Sequence, residues 1–164
     1  MEDIPVFSVV AISGTGKTTY LESLIPALKA HGLRVGVVKH HGHPTPIDQE
    51  GKDSWCFARA GADVTAVVSP TQAAFIENKG LDPRAAAARI FGVDIILTEG
   101  YKHGPWPKIA LCRGEGACAV PPEACAAVVS DRPIACEVPV FPLSDPDPLA
   151  AWLWEQVKGR RKLQ

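Results

Sequence analysis

The segment Ala11-Ile-Ser-Gly-Thr-Gly-Lys-Thr18 gathers residue types that can hold a polyphosphate. Gly14 and Gly16 let the backbone approach phosphate oxygens and turn its N–H groups inward. Lys17 offers a cation to the β- and γ-phosphates, and the Thr18 hydroxyl is a hard oxygen ligand for Mg²⁺. With Thr15 and Thr19 these residues make Gly14–Thr19 the candidate phosphate-binding set. The usual pattern is G-x-x-x-x-G-K-[ST], and Ala11 replaces its first glycine. At a strand end, negative φ is enough, so alanine is tolerable there.

Such a loop works only between a strand and a helix. The apolar run Val6–Val10 predicts a buried strand before it, and Leu21, Leu24, Ile25 and Leu28 predict a helix after it. His31-Gly32 stops that helix; Pro26 lies inside it. Arg34–Lys39 reads as the next strand, which implies a right-handed parallel crossover. His40–Lys52 reads as a loop, followed by a short helix to about Ala60. Val64–Val68 and Ala73–Ile76 suggest a hairpin or two edge strands, and Asp82-Pro83 starts a helix towards Ile90. Val93–Thr98, Lys108–Cys112 and Ala126–Ser130 are further strands. Pro142–Pro148 reads as a connection, and Leu149–Val157 as a closing amphipathic helix. The fold expected is α/β, P-loop NTPase-like, with a mostly parallel sheet flanked by helices. Residues 1–158 are expected to form one nucleotide-binding domain and 159–164 a frayed basic tail.

Two acidic residues compete for a role beside the phosphates. Glu99 ends the strand Val93–Thr98, at the carboxyl edge where ligands bind in open α/β sheets. A carboxylate there can balance Mg²⁺ and orient a water, which makes Glu99 the metal-linked and catalytic candidate. Asp94 lies at the opposite end of the same strand. Asp131, after the strand Ala126–Ser130, could accept both the ring N–H and the amino group of guanine. The Asn-Lys-x-Asp pattern of guanine readers is missing, so a turn aspartate is the alternative.

His40, His41 and His43 sit near Lys39, Asp48, Lys52 and Asp53. A metal site is one reading; their order in a loop fixes no common face, and a surface loop with titrating histidines is the commoner case. Asp48 or Asp53 could orient water around Mg²⁺, and Lys52 could reach phosphate. The cysteines number five and contain no C-x-x-C pair, so scattered thiols are expected rather than a disulfide framework. A formal net charge of -1 gives no footing for a nucleic-acid or membrane surface role. Met-Glu-Asp-Ile-Pro lacks a basic n-region, and no apolar run reaches bilayer length, so the expected compartment is cytoplasmic.

The chain resembles the molybdopterin-guanine dinucleotide biosynthesis protein B family, MobB. The resemblance rests on Ser13–Thr19, Val38-Lys-His40, Gly51-Lys-Asp-Ser54 with Ala60-Gly-Ala62, Leu97–Lys102, Pro107-Lys-Ile109 and Val129-Ser-Asp131. It implies a small homodimeric GTP-binding protein. Its expected role is an accessory factor for the molybdenum cofactor guanylyltransferase, which joins GMP to molybdopterin. It also implies weak Mg²⁺-dependent GTP hydrolysis. No arginine stands out as a partner for developing phosphate charge; Arg59 is the nearest guess. Lys102 and His103 could line the site or a partner surface. Two rivals share the loop. A small-molecule kinase needs an arginine-bearing lid, and Gly104–Pro107 carries none. A metal-insertion GTPase would use the histidine loop.

Overall fold

A computed structural model describes residues 4–161. The chain divides into two compact units, one made of Met1–His40 with Pro83–Gln164, the other of His41–Asp82.

The first unit is built on a six-stranded sheet in the order β2-β5-β1-β6-β7-β8. The strands are β1 (Val6–Ala11), β2 (Val35–Lys39), β5 (Ile95–Glu99), β6 (Lys108–Cys112), β7 (Ala127–Ser130) and β8 (Val140–Pro142). All five pairings are parallel. The central strands are apolar on both faces because both faces are covered. Successive residues of β1 divide between the two sides of the sheet. Phe7 and Val9 join the core with Leu21, Leu24 and Leu28 of α1 (Lys17–Ala30) and Leu149, Leu153 and Val157 of α4 (Asp147–Arg161). Val10 packs on the other side with Ala110, Cys112 and Val128, and Val6 packs beside the cluster of Val38, Ala87 and Ile96.

Helix α1 ends as its sequence predicts. Gly32 takes a φ of 78°, and the Leu33 N–H returns to the Leu28 carbonyl at 3.2 Å, satisfying a carbonyl that the helix leaves free. Pro26 is accommodated within the helix. Helix α4 begins where Asp145 Oδ1 accepts the Asp147 N–H at 3.0 Å. It runs through Arg161, so the first residues of the stretch expected as a tail are helical; residues 162–164 lie outside the described residues. Helix α3 (Pro83–Ala87) is shorter than expected, its last turn continuing as single bonds such as Ile90 N–H to the Ala87 carbonyl at 3.0 Å.

The second unit holds α2 (Asp53–Arg59) and an antiparallel hairpin, β3 (Val64–Val68) with β4 (Ala73–Glu77). The turn is tied by Ser69, whose Oγ accepts the Gln72 N–H at 3.0 Å.

Two features differ from expectation. Strand β8 was not expected; it ends at Pro142, the first residue of the expected proline-rich connection, and forms by pairing with the parallel edge of β7. Cys112 and Cys118 are joined by a disulfide with Cα atoms 5.1 Å apart, whereas only thiols were expected. The intervening Arg113-Gly-Glu-Gly-Ala117 turns back on itself, bringing the two sulfurs together. Cys56, Cys125 and Cys136 are free.

Candidate functional site

β1, β5 and β2 end at one edge of the sheet, and their register brings Val9, Glu99 and Lys39 side by side. The loop leaves β1 after Ala11, a strand residue with no positive φ. Gly14 and Gly16 do take positive φ, 81° and 89°, where a side chain would be strained. Thr15 donates its hydroxyl to the Ile12 carbonyl at 2.7 Å and so closes the turn. Gly16 is the N-cap of α1 with no side-chain cap, and its carbonyl accepts the Tyr20 N–H at 2.9 Å. The free N–H groups of this first turn and the positive helix end make a setting for an anion.

Glu99 is the hub. The Thr18 hydroxyl donates to its Oε1 at 2.7 Å. Lys17 Nζ stands 3.6 Å from the same oxygen, and Lys39 Nζ stands 3.6 Å from Oε2. Burial alone would raise the Glu99 pKa; the Thr18 hydrogen bond and the Lys39 and Lys17 charges outweigh it and hold the carboxyl below its usual range. Its strand is braced one residue earlier, where Thr98 Oγ1 donates to Ser8 Oγ at 2.9 Å within the sheet. After Glu99 the chain turns sharply through Gly100 and Tyr101, both at positive φ. The Tyr101 ring packs between those of His40 and Trp106. A Cβ on Gly104 would stand 2.1 Å from this ring, so only glycine fits. Lys108 Nζ donates to the Gly104 carbonyl at 2.6 Å and to that of Trp106, fixing the loop's far end. Lys102 and His103 are exposed on it.

The other candidates have partners of their own. Asp94 binds the Arg34 backbone N–H at 2.7 Å and its guanidinium at 3.2 Å, at the far end of β5. Both Asp131 oxygens accept the Gly114 N–H, at 3.0 and 3.1 Å. Within the second unit Asp48 Oδ1 accepts from Ser54 and from the Gln49 N–H. Among the described residues no cluster of three or more His, Cys, Asp or Glu is arranged to hold a metal ion. Arg59 lies over the Trp55 ring, 5.3 Å from its centroid. Lys39 was legible only as part of the crowded loop; its pairing with Glu99 follows from strand adjacency.

A family model described as molybdopterin guanine dinucleotide synthesis protein B, MobB, matches residues 6–131. The chain belongs to the MobB family. It is 39% identical to the molybdopterin-guanine dinucleotide biosynthesis adapter protein of Escherichia coli, over 93% of this chain and 93% of that one. The Haemophilus influenzae protein of the same description is 40% identical over 68% of this chain and 65% of its own. A crystal structure of molybdopterin-guanine biosynthesis protein B superposes with a TM-score of 0.72 at 25% identity, covering 92% of this chain and 99% of that one. Bacillus subtilis MobB superposes with a TM-score of 0.69 at 26% identity, covering 93% and 97%. The parallel sheet and glycine loop are thus those of the MobB form of the P-loop NTPase-like fold. Among the described residues no helix is long and apolar enough to cross a membrane.

Proposed function

We propose that this MobB protein is a GTP-binding adapter of molybdopterin-guanine dinucleotide biosynthesis, acting in the cytoplasm beside a molybdenum cofactor guanylyltransferase. Gly14, Thr15, Gly16, Lys17, Thr18 and Thr19 bind the phosphates. The observation that carries the reading is the arrangement of Thr18, Lys17 and Lys39 around Glu99. A hydroxyl and a carboxylate 2.7 Å apart are the hard oxygen donors that suit Mg²⁺, so Thr18 and Glu99 would hold the ion. The bound ion would supply charge neutralisation at the β- and γ-phosphates. Lys17 then exchanges its contact with Glu99 for phosphate, while Lys39 remains to balance the carboxylate. Hydrolysis is slow, on the order of 10⁻⁴ to 10⁻² per second, as for P-loop proteins without an added catalytic cation.

The protein acts as a homodimer in this reading. Val64, Val67, Val68 and Phe75 of the hairpin are 47–74% exposed, and a two-strand ribbon leaves its edges open for a second copy.

Asp131 reads guanine. With Gly114 bound, each carboxylate oxygen keeps acceptor capacity for the guanine donors. The test is Asp131→Asn, whose amide oxygen still accepts the Gly114 N–H. The variant is expected to lose most of the GTP-over-ATP preference, roughly 1–3 kcal/mol for donors left unpaired. It is also expected to bind xanthosine triphosphate better than the wild type does, because the amide donates to the added carbonyl. Competition of GTP, ATP and XTP against a fluorescent triphosphate analogue measures both, and an unchanged ranking removes Asp131 from base recognition.

A further inference from the structure

We propose that Arg113 is a nucleotide contact, gripping the α- and β-phosphates from the flank of the loop opposite Glu99. This rests on the nucleotide-binding reading and extends it. β1 has β5 on one side and β6 on the other, with Ala11 in register with Leu111. Arg113 leaves the end of β6 just as the phosphate loop leaves the end of β1. Its guanidinium lies beside the loop: a Cβ built on Gly16 would stand 3.4 Å from Nη1, 3.7 Å from Cζ and 3.8 Å from Nη2.

The electrostatics of this placement call for an anion. A guanidinium at a helix N-terminus faces the positive end of the dipole, where cations are disfavoured. Gly16 is the N-cap of α1. Among the described residues Arg113 has no hydrogen bond or ion pair, whereas Lys17 and Lys39 face Glu99, Arg34 faces Asp94 and Arg132 donates to the Gly116 carbonyl at 3.0 Å. A phosphate chain between the helix end and the guanidinium satisfies both, and the planar fork suits two phosphate oxygens at once.

The backbone around Arg113 is held in place. Asp131 fixes the Gly114 N–H and Arg132 fixes the Gly116 carbonyl. A turn already ordered loses less freedom on binding. Glu99, Thr18 and the Lys17 ammonium occupy the β5 flank. Arg113 comes from the other flank and therefore serves the phosphates that GTP and GDP share, leaving the slow turnover of the γ-phosphate unassisted.

The test is calorimetry of GTP and GDP binding to the wild type, Arg113→Ala and Arg113→Lys, with thermal unfolding as the folding control. Arg113 is exposed, so both variants should unfold with the wild type. Arg113→Ala is expected to lose about ten-fold in affinity for both nucleotides, the low end for a charged hydrogen bond. Arg113→Lys should recover part of this, a point charge replacing the fork. Wild-type affinity in Arg113→Ala, or a loss confined to GTP, would overturn the assignment. A wild-type chain that binds neither nucleotide would instead overturn the nucleotide reading, and this inference with it.

Discussion

Lys17→Ala is expected to lower GTP affinity by about one to two decades, since a hydrogen bond to a charged group contributes roughly 1.5–3 kcal/mol. The fold should survive. Lys17 sits in the first turn of α1, its side chain half-buried, and its visible contact is the 3.6 Å approach to Glu99. Lys39 still faces the same carboxylate, so Glu99 is not left without a cation. Calorimetry against GTP measures the loss, and wild-type affinity in this variant would remove the loop from nucleotide binding.

Glu99→Gln is expected to have the larger effect on chemistry. The amide keeps the shape and can still accept from Thr18, but it brings no charge to Mg²⁺. It also releases Lys17 from the carboxylate, which otherwise competes with phosphate for that cation. Metal-free GTP binding should therefore persist, the enhancement by Mg²⁺ should shrink, and hydrolysis should fall. Titrating GTP with and without Mg²⁺, together with phosphate release over hours, reads all three. Normal hydrolysis in the variant would make Glu99 a structural residue.

The parts of this molecule legible in the sequence are those set by local spacing. Gly14, Gly16, Lys17 and Thr18 carry the loop in their order alone. The runs 6–11, 95–99 and 108–112 are apolar enough to announce buried strands, and Glu99 follows from standing at the end of one. What stayed hidden depends on which strands become neighbours. Lys39 meets Glu99 because β2 lies beside β5, and Arg113 meets Gly16 because β6 lies beside β1. Nothing in Cys-Arg-Gly-Glu-Gly marks that arginine, whereas Arg59, nearer in sequence to the histidine loop, stacks on Trp55. The Cys112–Cys118 link has no signature spacing and depends on how the turn at Gly114 folds. β8 is a three-residue strand ending in Pro142, too short to show alternation. It exists only through its pairing with β7.

The adapter role is tested most directly by measuring binding of the immobilised protein to purified molybdenum cofactor guanylyltransferase, with and without GTP and Mg²⁺. The expected result is binding that strengthens when GTP is present and loses that enhancement in Lys17→Ala. No binding in either condition, or binding indifferent to GTP in the wild type, would contradict a GTP-dependent adapter.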